Sequence, residues 1–189
     1  MLLRPRQKEF VERSLEALSI NNNALGVAPT GAGKTILFSE VIGRHISRTS
    51  AKTLVLAHRD ELTEQNKSKF LWVNPSISTS VYDAKTKDWS GQVTFAMVQT
   101  LSLDANIRTM PPIDFIVIDE AHHAAAATYR VVIDKALELN PDCKIFGVTA
   151  TPNRSDGKGL REVFSNVCDQ ISLGELIRSG HLVTPRTFV

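Results

Sequence analysis

The stretch Ala28-Pro29-Thr30-Gly31-Ala32-Gly33-Lys34-Thr35 constrains this chain more than any other. An apolar run, Ala24-Leu25-Gly26-Val27, stands before it. A helical pattern from Ile36 to Ser47 follows, with Ile42 and Ile46 one turn apart and Glu40 and Arg44 spaced to pair. Strand, small-residue loop, helix is the order that a phosphate-binding loop requires. Backbone N–H groups reach phosphate oxygens only where side chains are small or absent, as at Gly31, Ala32 and Gly33, and glycine also permits positive φ. Lys34 then offers a mobile charge to β- and γ-phosphates, Thr35 a hydroxyl to Mg²⁺, and the helix its N-terminal N–H groups and positive dipole end. The loop departs once from the general G-x-x-x-x-G-K-[ST] pattern, with Ala28 at its first position.

Four further apolar runs repeat the theme. Thr53–Ala57, Gly91–Ala96, Ile113–Ile118 and Lys144–Val148 read as strands, and stretches of helical character separate them, Ala124–Leu139 being the longest predicted. An earlier helix is expected from Arg4 to Ile20, stopped by Asn21-Asn22-Asn23, and a polar helix from His58 to Phe70. Strands that are apolar throughout, rather than at alternate positions, indicate a parallel sheet covered on both faces. In such sheets ligands bind beyond the carboxyl ends of the strands. Every unusual polar cluster here directly follows an apolar run: the phosphate loop, His58-Arg59, Gln99-Thr100, Asp119-Glu120 and Thr149–Thr151. Parallel strands therefore bring all five to one edge. Asn74–Ser90 and Asn153–Gly159 are expected to be mobile loops, and Gly174 onward a helix stopped at Gly180 and followed by an extended segment through Pro185.

Composition narrows the class. The chain has 189 residues, 42% hydrophobic and 22% charged, enough for one domain with a proper core. Its net charge of +2 is far from that of a protein holding nucleic acid by charge alone, so any such contact must be local. Two cysteines, Cys143 and Cys168, with no CxxC pairing suit a reducing compartment, and Cys143 is expected to pack as a small hydrophobe. No apolar run approaches the roughly 18 residues of a membrane span, and charge follows the Met1-Leu2-Leu3 start at once, so a cytoplasmic protein is expected.

The clusters suggest chemistry. Asp119, ending a hydrophobic run, is placed to hold Mg²⁺, and Glu120 beside it to polarise an attacking water, because adjacent residues at a strand end point in different directions. Gln7 has a carboxamide that could donate to and accept from an adenine edge. His122 and His123 are adjacent and so cannot share one helix face; there is no zinc-type spacing, and a hydrogen-bonding role for His122 at the nucleotide edge fits better. His45, His58 and His181 read as ordinary surface or partly buried residues. Trp72, Trp89, Tyr82 and Tyr129 read as packing, since their spacing suggests no base-stacking platform.

Taken in order, these motifs resemble the motor core of superfamily-two helicases and translocases of the DEAH branch, specifically the first of its two RecA-like domains. Leu3-Arg4-Pro5-Arg6-Gln7 resembles the adenine-reading motif, which implies Gln7 with Arg4 nearby. Ala28–Thr35 matches the helicase form A-x-x-G-x-G-K-T, which accounts for the missing first glycine. Leu56–Leu62 and Thr94–Leu101 resemble segments that contact nucleic-acid phosphates, implying Arg59 and Thr100. Asp119-Glu120-Ala121-His122 is the DEAH box, and Thr149-Ala150-Thr151-Pro152 is the T-A-T-P motif that couples hydrolysis to strand movement in that family, implying His122, Thr149 and Thr151 as coupling residues. Arg154, Asp156-Gly157, Gly159-Leu160, Phe164 and Leu176–Leu182, with the extra His123 after the box, resemble bacterial and phage helicases and restriction-enzyme motors.

The resemblance implies a RecA-like three-layer α/β sandwich, with residues 1–183 as the ATP-binding domain and 184–189 as the start of a linker to a second RecA-like domain missing from this chain. It implies ATP and Mg²⁺ as cofactors, Thr30–Thr35 as the ATP site, Lys34, Asp119 and Glu120 as catalytic residues, and Thr35 and Asp119 as metal ligands. The partner implied is nucleic acid, DNA ahead of RNA, although no residue separates the two. Arginine fingers of a second domain supply roughly 10³- to 10⁵-fold in related reactions, so this chain alone is expected to bind ATP better than it hydrolyses it. Two alternatives stay open: the motor subunit of a type I- or type III-like restriction system, and a non-catalytic ATP-binding module. A small-molecule kinase leaves T-A-T-P and Gln99-Thr100-Leu101 without a purpose.

Overall fold

The computed structural model describes residues 3–58, 60–151, 159–180 and 182. Its elements run α1 (Pro5–Ile20), β1 (Asn23–Val27), α2 (Lys34–Thr49), β2 (Thr53–Ala57), α3 (Asp60–Val73), β3 (Thr79–Tyr82) and β4 (Val93–Met97). Then come α4 (Val98–Leu101), α5 (Asp104–Ile107), β5 (Phe115–Asp119), a 3₁₀ turn (Ala121–His123), α6 (Ala127–Leu139), β6 (Lys144–Thr149), α7 (Gly159–Val163), β7 (Val167–Gln170) and α8 (Leu173–Arg178). All strand pairings are parallel, in the order β3-β4-β2-β5-β6-β1-β7.

Side-chain alternation explains why the strands are apolar throughout. Val55, Phe115, Val117, Phe146 and Val148 join a core with Phe10 of α1, Leu37 and Phe38 of α2 and Phe70 of α3. Their neighbours Leu54, Leu56, Ile116, Ile118 and Ile145 point the other way, into a core with Leu101 of α4, Tyr129, Val132 and Ile133 of α6 and Phe164. Both faces are thus helix-covered, as the apolar runs require. Pro5 fits the first turn of α1, whose buried stripe Phe10, Val11, Ser14, Leu15, Leu18 faces the sheet. Cys143 is fully buried and unpaired, and burial helped by the Asp114 carboxylate pushes its thiol to about 12. Among the described residues no helix is long and apolar enough to cross a membrane.

The structure corrects four expectations. Asn74–Ser90 is not simply a loop, because Thr79–Tyr82 forms the edge strand β3 beside β4. Its buried serine is paired, the Ser80 hydroxyl lying 2.9 Å from the Thr94 hydroxyl, and the Asp83 carboxylate orders the following turn by accepting from the N–H groups of Lys85 and Thr86. A second strand not foreseen, β7, flanks β1. The helix expected from Ala124 starts only at Ala127 and has 13 residues, fewer than the 16 of α2 and the 14 of α3 that also lie between strands. The chain first turns through Glu120, at φ 52°, and the 3₁₀ segment, and Ala126 is still extended. Trp72 is not packed: it is 67% exposed. Gly180, at φ +71°, closes the last helical turn as expected. Pro152, Arg154, Asp156, Gly157, His181 and the linker residues 184–189 lie outside the described residues, and Gly159 opens α7.

Candidate functional site

All five polar clusters follow carboxyl ends of parallel strands: β1, β2, β4, β5 and β6. The phosphate loop is pinned at both ends. The Ala28 N–H donates to the Thr149 carbonyl at 2.8 Å, tying the loop to β6, and α2 begins at Lys34. Gly31 and Gly33 adopt φ of +90° and +84°, conformations in which an L side chain is strained. A Cβ on Gly33 would also stand 3.0 Å from the Gln7 amide nitrogen. Ala32 is buried beneath Gln7, whose Nε2 donates to the Ala32 carbonyl at 3.0 Å while its Oε1 accepts the Arg4 N–H at 3.1 Å. Arg4 and Gln7 line a cavity of about 480 Å³ with Ala32, Leu176 and Arg178. On its other side the loop opens onto a concavity of about 470 Å³, where Thr30, Lys34 and Thr35 face Lys69 and Trp72.

The acidic pair sits beside the loop. Asp119 is 6% exposed, and its Oδ1 accepts the Glu120 N–H at 3.0 Å. Burial pushes its carboxyl up, opposed by a hydrogen bond from Asn66 and by the Lys34 charge. Glu120 occupies the left-handed region, a strain on the order of 1 kcal/mol for a residue other than glycine. That turn carries its carboxylate back to the loop, with Oε1 2.8 Å from Lys34 Nζ, while Oε2 lies 3.4 Å from His122 Nδ1. His122 Nδ1 also meets Thr149 Oγ1 at 3.2 Å. The Thr149 hydroxyl directs its proton to the Thr151 carbonyl and accepts the Thr151 N–H, so the histidine is the donor, with its proton on Nδ1. Lys34, Glu120, His122, Thr149 and Thr151 thus form one connected chain across β1, β5 and β6. Thr35 and Asp119 are bridged by Asn66 of α3.

The two residues read as strand contacts fare differently. Arg59 lies outside the described residues. Thr100 is 6% exposed, and its carbonyl accepts from Asn106 Nδ2 at 2.7 Å, so α4 turns its side chain inward rather than toward a polymer. His58 is partly buried, the second of the two readings, and it has specific partners. Its ring stacks on His123 at 4.7 Å and 15°, His123 lies 4.1 Å from the His122 ring, and Gln99 Nε2 approaches His58 Nδ1 at 2.8 Å. The segment after β2 therefore touches the 3₁₀ turn through His58, and the segment after β4 reaches it through His58, by way of Gln99.

Sequence reasoning passed over Asn66 and the Arg6–Asp169 pair. A signal existed for the first: Thr63, Asn66 and Phe70 share the buried face of α3, where two polar residues need partners. The second joins residues 163 apart in sequence, and no local pattern announces it.

A parallel α/β sandwich with a phosphate loop, an acidic pair and a Thr-x-Thr turn on one edge defines a RecA-like first motor domain of the superfamily-two type. The chain belongs to the family described as type III restriction enzyme, res subunit, which matches residues 1–154. It is 28% identical over 189 residues to IRC3 of Saccharomyces cerevisiae, covering 93% of this chain and 27% of that protein. It is 31% identical over 161 residues to the ATP-dependent DNA helicase MPH1 of the same yeast, covering 79% of this chain and 16% of that one. The chain thus spans less than a third of the length of these relatives. A nuclease-deletion mutant of the Type ISP restriction-modification enzyme LlaGI, solved with a DNA substrate mimic, shares the fold with a TM-score of 0.76 at 17% identity, over 96% of this chain and 21% of that one.

Proposed function

We propose that the chain is the ATP-binding domain of a nucleic-acid-dependent ATPase motor, a DEAH-type helicase or translocase that couples ATP hydrolysis to movement on DNA. The observation that carries this reading is the connected chain Lys34–Glu120–His122–Thr149, which links the phosphate loop to the two segments the resemblance assigns to hydrolysis and coupling. The amides of Thr30, Gly31, Ala32 and Gly33 and the Lys34 ammonium bind the phosphates. Glu120 Oε1, here paired with Lys34, is released when the lysine moves to the phosphates, and it then takes a proton from the attacking water. His122, Thr149 and Thr151 transmit the change at Glu120 to the end of β6. Among the described residues Gln7 uses one donor and one acceptor position of its carboxamide, leaving one of each for an adenine edge, with Arg4 beside it.

The donor set suits Mg²⁺. Asp119 is a buried carboxylate with no ion-pair partner among the described residues, and the Thr35 hydroxyl is linked to it through one side chain. Hard oxygens in small number match an ion that keeps most of its water and shares phosphate oxygens. Thr35 and Asp119 would hold it, and when bound it neutralises charge on the phosphates. Residues 1–183 form the domain in this reading, and 184–189 lead toward a second RecA-like domain that supplies arginine fingers. Arg59 is retained as a strand contact, and Thr100 acts through its backbone segment.

DNA is favoured because MPH1 is a DNA helicase by name. The family description supports a second reading, the motor of a restriction system, which a nuclease segment elsewhere in the natural protein would distinguish. Equilibrium titration with a fluorescent ATP analogue tests the binding claim. Lys34→Ala is expected to weaken binding about 10- to 100-fold, the worth of a charge-assisted contact, and unchanged affinity would refute it.

A further inference from the structure

We propose that Asn66 is a positioning residue for the metal-bearing half of this site, fixing the proton of Thr35 and the orientation of Asp119. The inference rests on the reading of Thr35 and Asp119 as the Mg²⁺ ligands. Asn66 lies in the middle of α3, outside every motif the sequence displays, yet it is only 2% exposed. Its Nδ2 donates to Asp119 Oδ2 at 2.9 Å, and its Oδ1 stands 3.4 Å from Thr35 Oγ1.

Chemistry fixes the direction of both contacts. An ionised carboxylate only accepts, so the amide nitrogen must face Asp119, and the amide oxygen is then the end that faces Thr35. An amide oxygen only accepts in turn, so the Thr35 hydroxyl must donate to it. A hydroxyl that has given its proton away presents its lone pairs elsewhere, which is the state a cation needs. On Asp119 the same side chain occupies one position of Oδ2 while the Glu120 N–H occupies one of Oδ1, so the carboxylate cannot rotate freely. One carboxamide therefore sets both oxygens, from an element that belongs to neither the phosphate loop nor the DEAH segment. Asparagine suits the task where aspartate and leucine do not. Aspartate would face Asp119 with a like charge, and leucine would leave a buried carboxylate short of a donor.

The placement has a second consequence. α3 begins two residues after His58, at the segment expected to follow the polymer. A shift of α3 along its axis on strand binding would move Asn66 against Thr35 and Asp119 directly.

The test is the Mg²⁺ dependence of ATP-analogue binding. Fluorescent ATP affinity is measured in EDTA and across a Mg²⁺ series, with Mn²⁺ binding followed by electron paramagnetic resonance as a direct metal readout. Asn66→Ala is expected to leave EDTA affinity near that of the unaltered chain and to raise the half-saturating Mg²⁺ and Mn²⁺ concentrations about 10- to 100-fold, the usual effect of removing a residue that orients metal ligands. Thr35→Val should show a similar shift, and the double variant should fall short of the sum of the two, since part of what Asn66 does passes through Thr35. Asn66→Leu, which keeps the branching at Cγ and leaves no cavity, replaces Asn66→Ala if the latter does not fold. An unchanged metal dependence, an equal loss in EDTA, or fully additive effects of Asn66→Ala and Thr35→Val would overturn the assignment. If the unaltered chain binds ATP with no response to either metal, the reading of Thr35 and Asp119 as ligands fails, and this inference with it.

Discussion

Replacing Asp169 by asparagine is expected to loosen the wall of the cavity that Gln7 and Arg4 share. Asp169 sits on β7 with its side chain 4% exposed, and it receives both terminal nitrogens of Arg6 and one of Arg13. Arg6 also donates to Glu175 of α8 at 3.2 Å, so a single guanidinium joins α1, β7 and α8. Breaking a buried ion pair by removing one partner costs roughly 3–5 kcal/mol. Arg6 and Arg13 are 23% and 56% exposed, so water can take over part of their solvation, and the Arg13 contact counts as a surface pair worth at most about 1 kcal/mol. About 2–3 kcal/mol is the resulting expectation for Asp169→Asn. In a domain of this size that corresponds to a fall in Tm of roughly 5–10 °C. The pH dependence checks the cause. Burial raises the Asp169 pKa, but the hydrogen bonds and charges of Arg6 and Arg13 outweigh it, and the net shift is downward. A carboxylate with a depressed folded pKa contributes fully above its unfolded pKa of about 4 and loses that contribution as pH falls through the folded value. Calorimetric melts of the two proteins should therefore differ by a constant gap from pH 5 to pH 8, closing as the pH drops below about 4. A gap under about 1 kcal/mol, or one that persists into acid, would refute the reasoning.

Three further expectations follow from single contacts. Gly26→Ala places a Cβ 2.3 Å from Cζ of the fully buried Phe10 ring, and overpacking of this kind should cost about 1–3 kcal/mol in urea unfolding, with Phe10→Leu relieving part of it. Tyr129 is buried, and its hydroxyl has no hydrogen-bond partner among the described residues, so Tyr129→Phe should be neutral or stabilising by up to about 1 kcal/mol; a loss larger than that would show the hydroxyl to be engaged. His122→Ala and Thr149→Val each break the same contact, so each should lower polymer-stimulated turnover more than ATP binding, and together little more than either alone.

Much of this arrangement was legible because five strands are buried on both faces. Runs such as Phe115-Ile116-Val117-Ile118 can serve no other purpose than a covered parallel sheet, and the polar residues that end them stand out against that background. The sheet's edges were not legible for the opposite reason. β3 carries Ser80, whose burial depends on the Thr94 hydroxyl in β4, and β7 carries Asp169, whose burial depends on arginines from α1. Read locally, both segments look like solvated loops. The same limit hid Asn66 and the histidine stack, since each gains its role only when a distant strand end comes alongside. Thr100 shows the same limit from the other side. The Gln99-Thr100-Leu101 segment stands where expected at the end of β4, but the short helix that follows directs Gln99 to His58 and buries the threonine.

ATP turnover by the longest natural protein containing this sequence, with and without single-stranded and duplex DNA and RNA, tests the motor assignment most directly. Turnover stimulated by DNA and abolished by Glu120→Gln, beside a 189-residue chain that binds ATP but turns it over slowly, is the result expected. Turnover indifferent to every polymer, or undiminished by Glu120→Gln, would contradict the account.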